Sequence, residues 1–142
     1  MTAKTYLRQI RVLEKLIQSK QKELDLLWSS LSAQAVRYDG VAVKSSNISD
    51  PTAEMAVRHA DLIRETDEQI DELIRLRHKI TDEIGMVGDP RYIEILRLRY
   101  VECKTFEDIA EEMGFSIRHA ARLHGGALQA FDRIVLRGEQ NG

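Results

Sequence analysis

Residues 96–131 read LRLRYVECKTFEDIAEEMGFSIRHAARLHGGALQAF, and this stretch decides how the rest of the chain is understood. Thr105 stands where a helix N-cap belongs, with Asp108 three positions on in a T-x-x-D capping pattern. Phe106, Ile109, Ala110 and Met113 then recur at helical spacing and predict one buried face. Gly114 falls where the chain must turn through a left-handed angle, Phe115 follows as an apolar plug, and Ser116 caps a second helix. In that helix Ala120, Leu123, Ala127, Leu128 and Phe131 return at steps of three and four and predict the inward face. Ile117, Arg118, Ala121 and Arg122 are left facing outward at its N-terminal end.

Two short helices joined by a tight glycine turn, the second presenting arginines at its start, have the layout of a DNA-reading helix-turn-helix. A guanidinium at such a position pairs with O6 and N7 of guanine in a bidentate way. The bland reading of any one of these arginines is a solvated charge. The combination of cap, turn, second cap and outward bases is what favours double-stranded DNA as the partner.

Working outward, Asp89-Pro90 is a cap followed by a proline at the first helical position, and predicts a helix over 90–101. Ile93, Leu96 and Tyr100 form its expected inward stripe, with Arg91, Arg97 and Arg99 outward. Before it, Gly85-Met86-Val87-Gly88 ends a helix expected to open at Asp50-Pro51. That helix carries Ile63, Thr66, Ile70, Leu73, Ile80 and Ile84 on one stripe, with Arg77 as its odd member. Residues 38–49, YDGVAVKSSNIS, break the periodicity and read as a loop. Residues 2–37 read as one long helix with Ile10, Leu13, Ile17, Leu24, Leu27 and Leu31 on a stripe interrupted by Lys20. Such a stripe pairs with something: an intrachain antiparallel hairpin and a dimerisation coiled coil both satisfy it. Residues 1–50 carry 8 Lys/Arg against 5 Asp/Glu, and residues 51–88 carry 5 against 9, so packing the two helices side by side is electrostatically favourable. The residues after Arg137 read as a frayed tail.

The expected architecture is therefore all-α: a long antiparallel helical hairpin over 1–88, a possible dimerisation region, then a small helix-turn-helix domain over 89–142. Aromatics at 6% and two prolines argue against an all-β fold. One cysteine, Cys103, excludes an intrachain disulfide and a cysteine-based metal site. The N-terminus is charged throughout and no apolar window of about 18 residues exists, so neither a signal peptide nor a membrane span is expected and the cytoplasm is the default location.

A net charge of −2 does not announce a nucleic-acid binder, but the signs are segregated. Residues 116–137 hold Arg118, Arg122, Arg133 and Arg137 against Asp132 alone, whereas residues 105–113 hold Glu107, Asp108, Glu111 and Glu112 with no base. A basic face on a near-neutral domain implies weak non-specific affinity for DNA, and help from a dimer partner or a larger complex. The acids fit a contact surface for a basic patch on RNA polymerase, or a solvated face that repels DNA and so orients the domain. His119 and His124 are five apart, off the spacing that puts two ligands on one helical face, and no third ligand is near. His124 flanks the core or touches a phosphate, while His59 and His78 read as solvated. No phosphate loop or nucleophile motif is present, so no enzyme, cofactor or small-molecule substrate is expected.

LRLRY, TFEDIAEEMGFS and RHAARLHGGAL resemble region 4 of bacterial sigma factors. More closely, they resemble the small phage and prophage late-gene activators of Gram-positive bacteria, the ArpU- and RinA-like group. Those regulators are similar in a long helical N-terminal half, a Val-plus-Ser loop like Val41 to Ser45, and an S-x-R-x-x-x-R-L-H-x-x-A-L ending. The strong match covers about 40 residues and the loose one about 100. The resemblance implies a transcription regulator whose groove-reading positions are Ile117, Arg118, Ala121 and Arg122, with His119 and Ser116 beside them. It also places Thr105 near a phosphate. Host RNA polymerase would be recruited, and dimerisation through the N-terminal half would supply a second half-site. Ile117 and Ala121 lack the polar groups that sigma factors commonly use on bases, and suit thymine methyls instead. Nothing resembles the sigma region that melts promoter DNA. Gly125-Gly126 disfavours helix, so a bend or early end is expected there. Two rivals stay open: a small terminase subunit, which joins a helix-turn-helix to oligomerising helices in a ring, and an interaction module that has lost DNA binding.

Overall fold

The computed structural model describes the backbone of residues 1–38 and 51–138, and the side chains of 1–34 and 52–138. Every regular element among the described residues is helical: α1 (Ala3–Leu7), α2 (Gln9–Tyr38), α3 (Pro51–Gly85), α4 (Pro90–Leu96), α5 (Phe106–Met113) and α6 (Ile117–Phe131). Single π-helical turns, Arg97–Val101 and Asp132–Leu136, extend α4 and α6. The loop expected over 38–49 does not include Tyr38, which ends α2, and its remainder, the Asp50 cap and the tail beyond Gly138 lie outside the described residues. No helix among the described residues is long and apolar enough to cross a membrane.

The chain forms two compact units, Glu14–Glu72 and a second one built from Met1–Leu13 together with Leu73–Gly142. In the first, α2 and α3 run antiparallel within one chain. Lys20 Nζ lies 3.5 Å from Glu65, an Arg58 guanidinium 3.2 Å from Glu23, and the Thr52 hydroxyl donates to Gln34 at 2.5 Å. Ile17, Leu62 and Thr66 are buried in it, and the Thr66 hydroxyl donates back to the Leu62 carbonyl at 2.6 Å, which satisfies a polar group at a core position. Lys20, the interruption in the apolar stripe, turns its ammonium to the edge and pairs with Glu65. Ile63, expected inward, is 41% exposed and Leu62 takes its place. A 3.5-residue stripe drifts against the 3.6-residue helix, so a position one step away becomes the inward one.

The second unit holds the larger core: Leu7, Ile10, Ile80, Ile84, Ile95, Leu96, Leu98, Ile109, Ala120, Ala127 and Phe131 are all at most 1% exposed. It is wider than residues 89–142, because both the first thirteen residues and the end of α3 build it. The single helix expected over 2–37 is interrupted at Arg8, where no glycine or proline stands. Thr2 caps α1, its hydroxyl accepting from the Thr5 amide, and Tyr6 packs on Phe131 of α6 with ring centroids 5.9 Å apart. The break thus coincides with a tertiary contact that local propensity does not register. The Tyr6 hydroxyl donates to the Glu83 carboxylate at 2.5 Å, and burial with that carboxylate beside it pushes its pKa up to about 12.

Candidate nucleic-acid interface

Each local signal around α5 and α6 is realised in atoms. The Asp89 side chain accepts from the Arg91 amide at 2.9 Å and starts α4. The Thr105 hydroxyl accepts from the Asp108 amide at 3.2 Å and starts α5. Gly114 closes α5 at φ +73°, and the Phe115 amide returns to the Ala110 carbonyl at 2.8 Å. The Ser116 hydroxyl accepts from the His119 amide at 3.0 Å and starts α6. Three residues therefore separate two capped helices, with the left-handed glycine setting the angle between them.

α6 divides cleanly. Ala120, Leu123, His124, Ala127, Ala130 and Phe131 are buried, whereas Ile117, Arg118, His119, Ala121 and Arg122 are exposed. The expected outward residues thus share the outward face of the first two turns. The His119 ring stacks on Phe115 at 4.2 Å between centroids, which fixes it over the turn. Arg118 and Arg122 have no acidic partner among the described residues, whereas Arg97 pairs with Glu102 and Arg137 with Asp132. Glu107, Asp108, Glu111 and Glu112 of α5 are all exposed, and Glu112 accepts from Lys104 at 2.5 Å. That contact, ahead of the smaller pull of Glu102, raises the Lys104 pKa. The caps use only an acceptor lone pair of the Thr105 and Ser116 hydroxyls, so these positions still offer a ligand an O–H donor beside the backbone N–H groups.

Several expectations change here. Arg99 does not face outward: its guanidinium lies 4.6 Å over the Phe106 ring and donates to the Lys104 carbonyl at 2.8 Å, locking the connection that leads into α5. The helix from Pro90 does not stay α-helical to Val101, but widens into a π turn at Arg97 that buries Leu98 and Tyr100. Of the two readings of His124, the core one holds: it is 8% exposed, stands edge-on to Phe106 at 5.0 Å and shares a 2.6 Å hydrogen bond with the Tyr100 hydroxyl. Burial, with the nearby positive charges of Arg99, Lys4 and Arg8, drops its pKa to about 4 and keeps the ring neutral. His59 is likewise half-buried, stacked with Trp28 at 5.7 Å, while His78 is exposed as expected.

α6 also neither bends out of helix nor ends at its glycine pair, but continues to Phe131. A Cβ on Gly126 would fall 2.9 Å from the Tyr92 hydroxyl, so this glycine lets α4 press against α6. A Cβ on Gly125 would meet nothing within 4 Å. Cys103 sits at φ +57° in the connection before Thr105, with its thiol directed at the Tyr100 carbonyl at 3.7 Å. No protein-family model, curated protein or solved structure matches the chain.

Proposed function

We propose that the chain is a transcription regulator of the phage or prophage late-activator kind, binding promoter DNA with α6 in the major groove. One observation carries the reading. The Ser116-capped start of α6 turns Arg118 and Arg122 outward, exposed and without an acidic partner among the described residues, on a helix whose opposite side is core. Unpaired guanidiniums at the open end of a rigidly seated helix are free to pair with guanine edges or phosphates. The exposed acids on α5 would serve as a contact surface for a basic patch on host RNA polymerase, or else as a solvated face that repels DNA and so orients the domain.

The overall balance of −2 makes one copy a weak binder, so a homodimer supplies the second half-site. Leu26, Trp28 and Val57, between 61% and 71% exposed on the Glu14–Glu72 unit, support dimerisation there.

Selection from a random duplex library at ~150 mM salt, with and without RNA polymerase, tests the reading. The expected result is an enriched motif that disappears in the Arg118→Ala, Arg122→Ala double variant. Enrichment that needs polymerase favours a sigma-like mode of action. No enriched motif in either condition rejects the regulator reading.

A further inference from the structure

We infer that the α6 surface reads thymine 5-methyl groups beside its guanine contacts, through a row made by Ile117 and Ala121; this rests on the DNA-binding reading above. Ile117 is 52% exposed, and from Asp89 onward it is the one strongly exposed large hydrophobic side chain among the described residues. It stands on the outward face, one helical turn before Ala121. Arg118 and Arg122 form a parallel row beside it. α6 therefore carries two adjacent strips on its outer face, one apolar and one cationic, each two residues long.

In the major groove each kind of strip has its counterpart. The guanine edge presents two acceptors to a guanidinium, and the only apolar group on any base edge is the methyl at C5 of thymine. Ile117 and Ala121 carry no side-chain donor or acceptor, so among bases they discriminate by that methyl alone. His119 does not compete for the position, because its ring is stacked on Phe115 over the turn. RNA does not fit this surface: it lacks the methyl, and its deep, narrow major groove excludes a helix. The partner this surface fits is B-form DNA whose site places thymine next to guanine.

The test starts from whatever duplex the full chain selects. Each thymine is replaced in turn by deoxyuridine, which removes one methyl and leaves every hydrogen-bonding group. Burying one such group is worth about fourfold in affinity, so one or two positions should each weaken binding by about that factor. At one of those positions Ile117→Ala should bind the thymine and uracil duplexes equally, while Arg118→Ala should keep the difference. Ile117 is on the surface, so the variant's unfolding midpoint should match the parent's. A selected motif whose thymines are all replaceable without loss overturns the methyl inference and leaves the DNA-binding reading standing. The absence of any selected motif overturns both.

Discussion

The Tyr100 hydroxyl and Nε2 of His124 share a 2.6 Å hydrogen bond, joining the π turn after α4 to the buried side of α6. Both groups are held neutral: burial raises the tyrosine pKa and depresses that of the histidine to about 4. The arrangement keeps α6 seated while its other face stays free.

Protonation of His124 should therefore unseat it. The folded pKa of about 4 lies below the ordinary value of 6.5, so between these limits the unfolded chain takes up a proton that the fold refuses. Stability is full above about pH 6.5, falls as pH drops toward 4, and loses on the order of 3 kcal/mol from this group. Denaturant unfolding between roughly pH 7 and pH 5 should show the decline, with a shallower slope in His124→Gln. Equal slopes would mean that the ring is not held neutral.

The glycine pair of α6 should split on substitution. Gly125→Ala meets open space and removes a poor helix former, so it should stabilise by up to about 1 kcal/mol. Gly126→Ala places a methyl 2.9 Å from the Tyr92 hydroxyl and should destabilise despite the same gain in propensity. Adding Tyr92→Phe, which removes the nearest atom, should restore part of the loss. Thermal melts of the four proteins decide it, and a Gly126→Ala melt as high as that of Gly125→Ala would contradict the contact.

Thr105→Ala and Ser116→Ala each delete a side-chain acceptor for an otherwise unpaired amide at a helix start. Each should cost about 1 kcal/mol, with Thr105→Ser and Ser116→Thr close to the parent. Hydrogen exchange should locate the loss in the first turns of α5 and α6 respectively. Faster exchange spread evenly over the unit would argue against a local capping role.

These caps, Gly114 and the Asp89-Pro90 start are legible in the sequence because each signal and its partner lie within a few residues. The outward set on α6 is legible for the same reason, since it follows from the periodicity of its own helix. Arg99, His124 and Gly126 are not. Arg99 looks like one more surface charge until Phe106 comes under it, and His124 is defined by Tyr100, 24 residues earlier. Gly126 has its reason in Tyr92, on a different helix. Nothing near Arg8 announces the break between α1 and α2, which coincides with the packing of Tyr6 on Phe131. The choice of Leu62 over Ile63 was a matter of phase, and a two-turn window cannot resolve one step of it.

A fragment starting at Asp89 should not fold. It keeps α4, α5 and α6 but strips Leu7, Ile10, Ile80 and Ile84, each at most 1% exposed, from their shared core. Circular dichroism melts of residues 89–142 should lack the cooperative transition of the full chain. A cooperative melt would show that the shorter piece is self-sufficient.

The same discontinuity orders events in time. On the ribosome Leu7 and Ile10 emerge well before Phe131, against which their neighbour Tyr6 rests. Folding strictly in step with emergence is closed to this unit, because residues 1–13 lack their α6 partner until Phe131 has been made. A nascent chain stalled before α6 carries an unfinished core, so the seated α6 surface exists only on molecules in which α1 has already met α6.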